Sequence, residues 1–255
     1  MADVAAKDVP IPPGVDHVLL DLDDTLYQCH AFPSGMLSNI MQYMRDHLDF
    51  SSEEVGKHAE RLYAEHGTTL AGLAAEGHRI DFEHWHDNVH GPLPYHHLEP
   101  DPALRELLLS IPVKKYVFTN ADAPHMMRCL DRLGITDVFS GFITFETLNP
   151  HPTSDHGVLC KPSPAAFERA MEIALQHSRS EGDLHPGRFL FIDDSRRNVK
   201  ASAAMGIHTV FVGQHDAVME HEVPPHAVVR TLHDLPHALS TPNLPTSLES
   251  WSMSC

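Results

Sequence analysis

Short apolar runs closed by polar residues recur along the chain and set its pattern. The first is Asp16 to Leu22 (DHVLLDL), followed by Val113 to Thr119 (VKKYVFT), Phe142 to Phe145, Arg188 to Ile192 (RFLFI) and Ile207 to Val212 (IHTVFV). Runs of this length and composition predict buried strands. Helices are predicted between them. One covers Pro124 to Leu133 and stops at Gly134; one covers Ser163 to Gln176, with Ser as the cap and Pro164 in the first helical position; one covers Ser195 to Met205 and stops at Gly206. Strand and helix in alternation imply an α/β fold, a parallel sheet covered on both faces.

Residues from about Phe32 to Leu98 break this rhythm and read as consecutive helices. Ser51-Ser52-Glu53-Glu54 has the form of a capping-box start, and Gly67, Gly72, Gly77 and Gly91 punctuate the segment. The simplest division is an N-terminal tail over 1–15 and a core from 16–31 and 99–234. A helical insertion over 32–98 then follows the first strand, and the Ser/Pro/Thr-rich stretch 235–255 is expected to be a disordered tail.

Composition narrows the function. A chain of 255 residues with 42% hydrophobic side chains can bury a substantial core. No apolar run reaches the roughly 20 residues that span a bilayer. Met1 to Gly14 has neither a basic start nor an apolar middle, so no secretory signal is expected. The formal net charge of −17 argues against nucleic acid as a partner, because phosphate neutralisation needs clustered Lys and Arg. Cys29, Cys129, Cys160 and Cys255 are scattered without a CxxC pair, which fits reduced thiols in a cytoplasmic protein.

Candidate chemistry lies at or just beyond the carboxyl ends of the predicted strands, where open α/β sheets bind ligands. Asp21-Leu22-Asp23-Asp24-Thr25 follows the first strand, Thr119-Asn120 the second, Lys161 lies in the loop after the third, and Asp193-Asp194 follow the fourth. Converging carboxylates repel one another unless a cation sits among them, and hard oxygen ligands suit Mg²⁺. A lysine and a hydroxyl beside them would hold the oxygens of a phosphoryl group. An aspartate there can attack phosphorus, and a carboxylate two residues on can protonate the leaving alcohol and later activate water.

These motifs resemble those of the haloacid dehalogenase-like phosphatases, in the same order: DxDxT at Asp21 to Thr25, then Thr119-Asn120, Lys161 and Asp193-Asp194. The resemblance implies a Rossmann-like core with a small helical cap after the first strand. It makes Asp21 the nucleophile and Asp23 the general acid/base, with Thr119 and Lys161 binding the phosphoryl group and Asn120 assisting. Mg²⁺ would be held by Asp21, the Asp23 carbonyl and Asp194, with Asp193 orienting through water. A finer resemblance is to the pyrimidine 5′-nucleotidase branch of fungi and plants, which includes the plant xanthosine monophosphate phosphatase. It rests on Asp23 to Tyr27 (DDTLY), Gly67 to Leu73 (GTTLAGL), His90 to Tyr95 (HGPLPY), Phe118 to Asp122 (FTNAD), Phe145 to Pro150 (FETLNP) and Cys160 to Ser163 (CKPS). The implied substrate is a small phosphate monoester, a nucleoside 5′-monophosphate.

Several residues carry two readings. Thr68 and Thr69 either reach the leaving group or simply begin a helix, and Tyr27 either lines the pocket or packs the cap hinge. Asp194 could also cap the following helix. The chain contains 22 histidines, and His86 and His90, four apart, would share a helix face. They are surface histidines, metal ligands in need of a further partner, or contacts to a substrate base or ribose. The rival functions are a phosphatase for a sugar phosphate or lysophospholipid, and a catalytically idle binding module on the same fold. A dehalogenase would have no use for the acid/base chemistry of Asp23.

Overall fold

The computed structural model describes residues 8–150, 157–178, 183–213 and 225–240. Six strands form one parallel sheet: β1 (His17–Leu20), β2 (Lys114–Phe118), β3 (Gly141–Ile143), β4 (Phe189–Asp193), β5 (His208–Val212) and β6 (Ala227–Val229). Their order is β3-β2-β1-β4-β5-β6, so the chain reverses direction across the sheet beside β1. That reversal opens the crevice in which such sheets bind ligands.

Alternation along each strand builds two cores. Val18 and Leu20 of β1, Val117 of β2 and Leu190 and Ile192 of β4 face one side with the buried faces of α5 (Pro102–Leu109) and α6 (Ala123–Leu133). Leu19, Tyr116, Phe118, Phe189 and Phe191 face the other, with Ala166, Phe167, Ala170 and Met171 of α8 (Pro164–Ser178). Register then sets the chemistry. Leu20 pairs with Val117 on one flank and Ile192 on the other, so Asp21 and Asp193 emerge side by side at the carboxyl edge, with Thr119 one position further along the neighbouring strand.

The cap comprises α1 (Ala31–Leu48), α2 (Val55–His66), α3 (Thr69–Ala75) and α4 (Phe82–Val89). It has its own apolar centre of Tyr43, Met44, Leu62, Leu70, Leu73, Trp85 and Val89, joined by Phe145 from the core. Gly67 brings α2 and α3 against the core loop. It has φ +90°, and a Cβ there would stand 2.4 Å from the Lys161 carbonyl oxygen and 2.8 Å from Pro162 Cδ. No helix among the described residues is long and apolar enough to cross a membrane.

The structure departs from the sequence reading at several boundaries. Phe145 does not end the third strand. It starts a short helix, α7 (Phe145–Leu148), because Thr144 and Thr147 close a capping box, with Thr144 N–H donating to Thr147 Oγ1 at 2.7 Å. At Ser51 the expected box is absent: the Ser51 hydroxyl donates to the Glu54 carboxylate at 2.7 Å, and α2 begins after it. Residues 235–240, expected within the disordered tail, form helix α10 (Leu235–Ser240) with Leu235 and Leu239 buried. The rest of that tail, 241–255, lies outside the described residues. The assigned N-terminal tail also contributes to the core, since Val9 is buried and its N–H donates to the Ser110 carbonyl. The remaining α9 (Arg196–Ala204) lies between β4 and β5 and is followed, as expected, by Gly206 with φ +85°.

Candidate active site

A buried lysine organises the carboxyl edge. Lys161 is 1% exposed, and its Nζ donates to Asp21 Oδ1 at 2.6 Å, Asp193 Oδ2 at 2.8 Å and the Phe118 carbonyl at 2.8 Å. Burial alone would depress its pKa; the Asp193 and Asp21 charges outweigh that and raise it. Asn120 fixes the lysine's backbone on both sides. Its Nδ2 donates to the Lys161 carbonyl at 3.0 Å and its Oδ1 accepts from Lys161 N–H at 2.8 Å. Both ends of the amide are thereby engaged, so Asn120 touches the wall of the cavity while acting on Lys161.

Asp193 is fully buried and saturated. Besides Lys161, it accepts from Ser195 N–H at 2.7 Å and from Asn198 Nδ2 at 3.1 Å on each oxygen. Asp194 accepts a longer bond, 3.4 Å, from Thr25 Oγ1. Ser195, rather than Asp194, sits at the cap position of α9. Asp21, Asp193 and Asp194 offer oxygens within 4.8 Å of one another. Burial, then the neighbouring Asp193 and Asp194 charges, pushes Asp21 well above the ordinary carboxylate range despite Lys161. Burial followed by Asp193 and Asp24 raises Asp194 to about 7. Three carboxylates gathered around one lysine leave negative charge uncompensated. This donor set fits a hard divalent cation.

Asp23 sits in a different environment. Burial opposes its ionisation, yet the charge and hydrogen bond of His125 and the bond from Tyr27 hold it at about 2. His125 Nε2 lies 2.9 Å from Asp23 Oδ1, and its Nδ1 lies 2.8 Å from the Tyr95 hydroxyl. Although burial lowers the pKa of His125, the Asp23 charge raises it well above the ordinary histidine value. Tyr27 does not line the cavity. Its hydroxyl donates to Asp23 and its ring stands edge-on to Phe32 at 5.6 Å, in the hinge-packing position.

The sequence reading missed three contributors. His125 falls in the first turn of a helix whose periodicity marks it as ordinary, and its link to Asp23 spans 102 positions. Asn198 holds Asp193 from α9. Arg197 donates to the Tyr63 and Ala64 carbonyls at 2.8 and 2.6 Å, tying the end of cap helix α2 to the core. Doublets of charge such as Arg196-Arg197 are common on surfaces, so neither arginine carried a signal.

The cavity between core and cap has a volume of about 260 Å³. Asp21, Asp23, Thr119, Lys161 and Asp194 line its floor; Met36, Ile40, Trp85 and Val89 line the cap side. Thr119 Oγ1 accepts from Ala121 N–H at 3.1 Å. Thr68 and Thr69 both reach the wall. Thr68 is the N-cap of α3, accepting from Ala71 N–H at 3.0 Å, and the Thr69 hydroxyl donates back into the cap at the Ala59 carbonyl, 3.3 Å away.

A carboxyl-edge aspartate bound to a buried lysine, facing a helical cap, is matched at the level of family. Residues 15–206 match the haloacid dehalogenase-like hydrolases, and the chain belongs to that family. It is 31% identical over 199 residues to phosphate metabolism protein 8 of Saccharomyces cerevisiae, a match covering 73% of this chain and 58% of the yeast protein's length. Among solved structures it resembles the HAD phosphatase of Thermococcus onnurineus, at TM-score 0.55 and 16% identity, over 88% of this chain and 97% of that one. It also resembles the L-2-haloacid dehalogenase of Xanthobacter autotrophicus, at TM-score 0.51 and 16% identity, with the same shares. The fold thus serves both chemistries, and the choice between them falls to the residues of the site.

Proposed function

We infer that this protein hydrolyses phosphate monoesters through an aspartyl-phosphate on Asp21, with nucleoside 5′-monophosphates, pyrimidine-type foremost, as substrates. The observation that carries the reading is the pairing of Asp21 with buried Lys161 in a cavity that also presents Asp23. A dehalogenase needs the nucleophile but not a second carboxylate held by its own histidine and tyrosine.

Asp21, oriented by Lys161, attacks phosphorus and the ester bond breaks. The leaving oxygen takes a proton from Asp23. That proton reaches Asp23 from His125, whose Nε2 lies 2.9 Å from the carboxylate and which the transfer leaves neutral. Asp23, ionised again, draws a proton from the water that releases phosphate from Asp21. Lys161 and Thr119 hold the phosphoryl oxygens, and Asn120 and Asp193 hold Lys161 in place. Mg²⁺, bound by Asp21, the Asp23 carbonyl and Asp194 and oriented from outside by Asp193, would offset the charge that builds on the transferring group.

Support for a nucleotide comes from the cap. Met36, Ile40, Trp85 and Val89 offer an apolar wall to a planar base, and Thr68 and Thr69 lie beside it. The stretches resembling the nucleotidase branch, 67–73 and 90–95, belong to the cap or its return to the core. The yeast relative's name places that protein in phosphate metabolism. The described cysteines Cys29, Cys129 and Cys160 are free thiols, in keeping with a cytoplasmic setting.

The test is phosphate release from a panel of nucleoside monophosphates, sugar phosphates and a lysophospholipid phosphate, with Mg²⁺ and with chelator. Chelator-sensitive release confined to nucleotides supports the reading. Release from sugar or lipid phosphates alone keeps the chemistry and removes the nucleotide, and no release from any ester favours a binding module.

A further inference from the structure

The period of an α-helix places residues four apart on one face. His86 lies on that face of α4 and His90 follows one turn on as the C-cap residue of the helix, and their rings stack at 5.4 Å with an interplanar angle of 20°. Both histidines are more than nine-tenths buried where the cap meets the core. Opposite them stands Asp122, also buried, at the N-cap of α6. His90 Nδ1 is hydrogen-bonded to Asp122 Oδ1, and His86 Nδ1 lies 3.5 Å from the same oxygen. Neither ring nitrogen of His86 has a hydrogen-bond partner. A buried polar atom left without a partner destabilises the fold, so an imidazole with two of them is held in place by something else.

We propose that His86, His90 and Asp122 bind a divalent transition metal of the zinc class, which pins cap helix α4 to the head of core helix α6. One ligand atom from each residue can be chosen so that all three lie within 4.8 Å of one another. An ion about 2.0–2.2 Å from each donor draws such a group together with small side-chain movements. Binding would replace the direct His90–Asp122 hydrogen bond with two bonds to the ion and give one of the two unpartnered His86 nitrogens a partner. Two imidazoles and one carboxylate select zinc-like ions over Mg²⁺, which takes oxygen donors. His86 and His90 also line the cavity, which places a fourth coordination position within reach of water or a substrate group. This site is separate from the aspartate cluster and does not depend on the reaction proposed above.

The ion's structural effect is specific. Asp122 and His90 belong to opposite sides of the cap–core joint, so a bound ion restrains cap opening and stabilises the folded chain. The experiment is a titration of the full chain with Co²⁺ in excess Mg²⁺, which occupies the oxygen site, read by visible absorption and thermal midpoint. One equivalent should develop the intense absorption of tetrahedral, nitrogen-ligated Co²⁺, be displaced by Zn²⁺, and raise the midpoint. His86→Phe keeps a ring against Phe145, 4.7 Å away in the native contact, but cannot ligate. It should weaken binding more than about 100-fold, because losing even an outer partner of a metal ligand costs about 10–100-fold. The exposed His237→Gln should leave binding unchanged. Equal binding by wild type and His86→Phe, or none by wild type, overturns the proposal; the former means an adventitious ion only, on other histidines. Crystals soaked in Zn²⁺ decide without a variant: an anomalous peak among the three side chains supports the site, and a peak only elsewhere overturns it.

Discussion

Two carboxylates two positions apart in the chain are held in different environments by their neighbours. Asp21 faces Lys161 and two other aspartates, whereas Asp23 faces His125 and Tyr27. Replacing Lys161 with Met leaves Asp21 and Asp193 buried without their counter-charge. It should cost about 3–5 kcal/mol of stability, read by denaturant unfolding, as well as activity. Tyr27→Phe removes one hydrogen bond to Asp23 and should lower kcat while KM stays nearly constant, as steady-state kinetics would show. Asp194 gives the pH prediction. Its folded pKa, about 7, lies above its ordinary value of 3.8, so without a metal its contribution favours the folded state at low pH and is lost as pH rises through about 7. Mg²⁺ binds the ionised form. The rise in Tm that Mg²⁺ produces should therefore grow as pH increases through about 7. A Tm shift by Mg²⁺ that is flat across this range would contradict the assignment of Asp194 as a ligand.

The strands of the carboxyl edge were legible because each is a short apolar run ending in the polar residues of the candidate site, as LLDLDD and FLFIDD show. Where local capping competes with apolar character, the sequence pattern misleads. Phe145 extends the apolar run of β3, yet the Thr144–Thr147 box turns it into a helix start. β6 has only three residues, too few for alternation to register, and α10 has one turn and a half in a polar segment. Side-chain partners from distant elements were illegible for a different reason. Nothing local distinguishes His125 or Asp122 from residues at any helix start, since their roles come from packing α6 against both the first loop and the cap. The cap loop supplies the prediction at this scale. Gly67→Ala puts a methyl group against the Lys161 carbonyl at a positive φ, with no room to adjust within the loop. The cap should be displaced from the floor, raising KM severalfold and lowering stability by about 1 kcal/mol or more, as kinetics and thermal unfolding would report.

At the scale of the whole molecule, a chain of net charge −17 is proposed to handle an anionic substrate. The contradiction is local: the aspartate cluster that dominates the cavity floor is also the site suited to a divalent cation, whose charge reverses the field where the phosphoryl group sits. The cap meets that floor through Gly67, Arg197 and the His90–Asp122 pair, so under the proposed function selectivity and exclusion of water would reside in the joint between cap and core. Fold and family follow from the sheet and its motif order, whereas substrate class depends on cap side chains for which the sequence offered only resemblance. The central claim is that Asp21 carries the phosphoryl group. Mass spectrometry of the protein acid-quenched during turnover of a nucleoside monophosphate tests it directly. The account predicts the added mass of one phosphoryl group on the peptide containing Asp21, with neither adduct nor turnover in a folded Asp21→Asn variant. Turnover that persists in Asp21→Asn, with no adduct on the wild-type peptide, would contradict it.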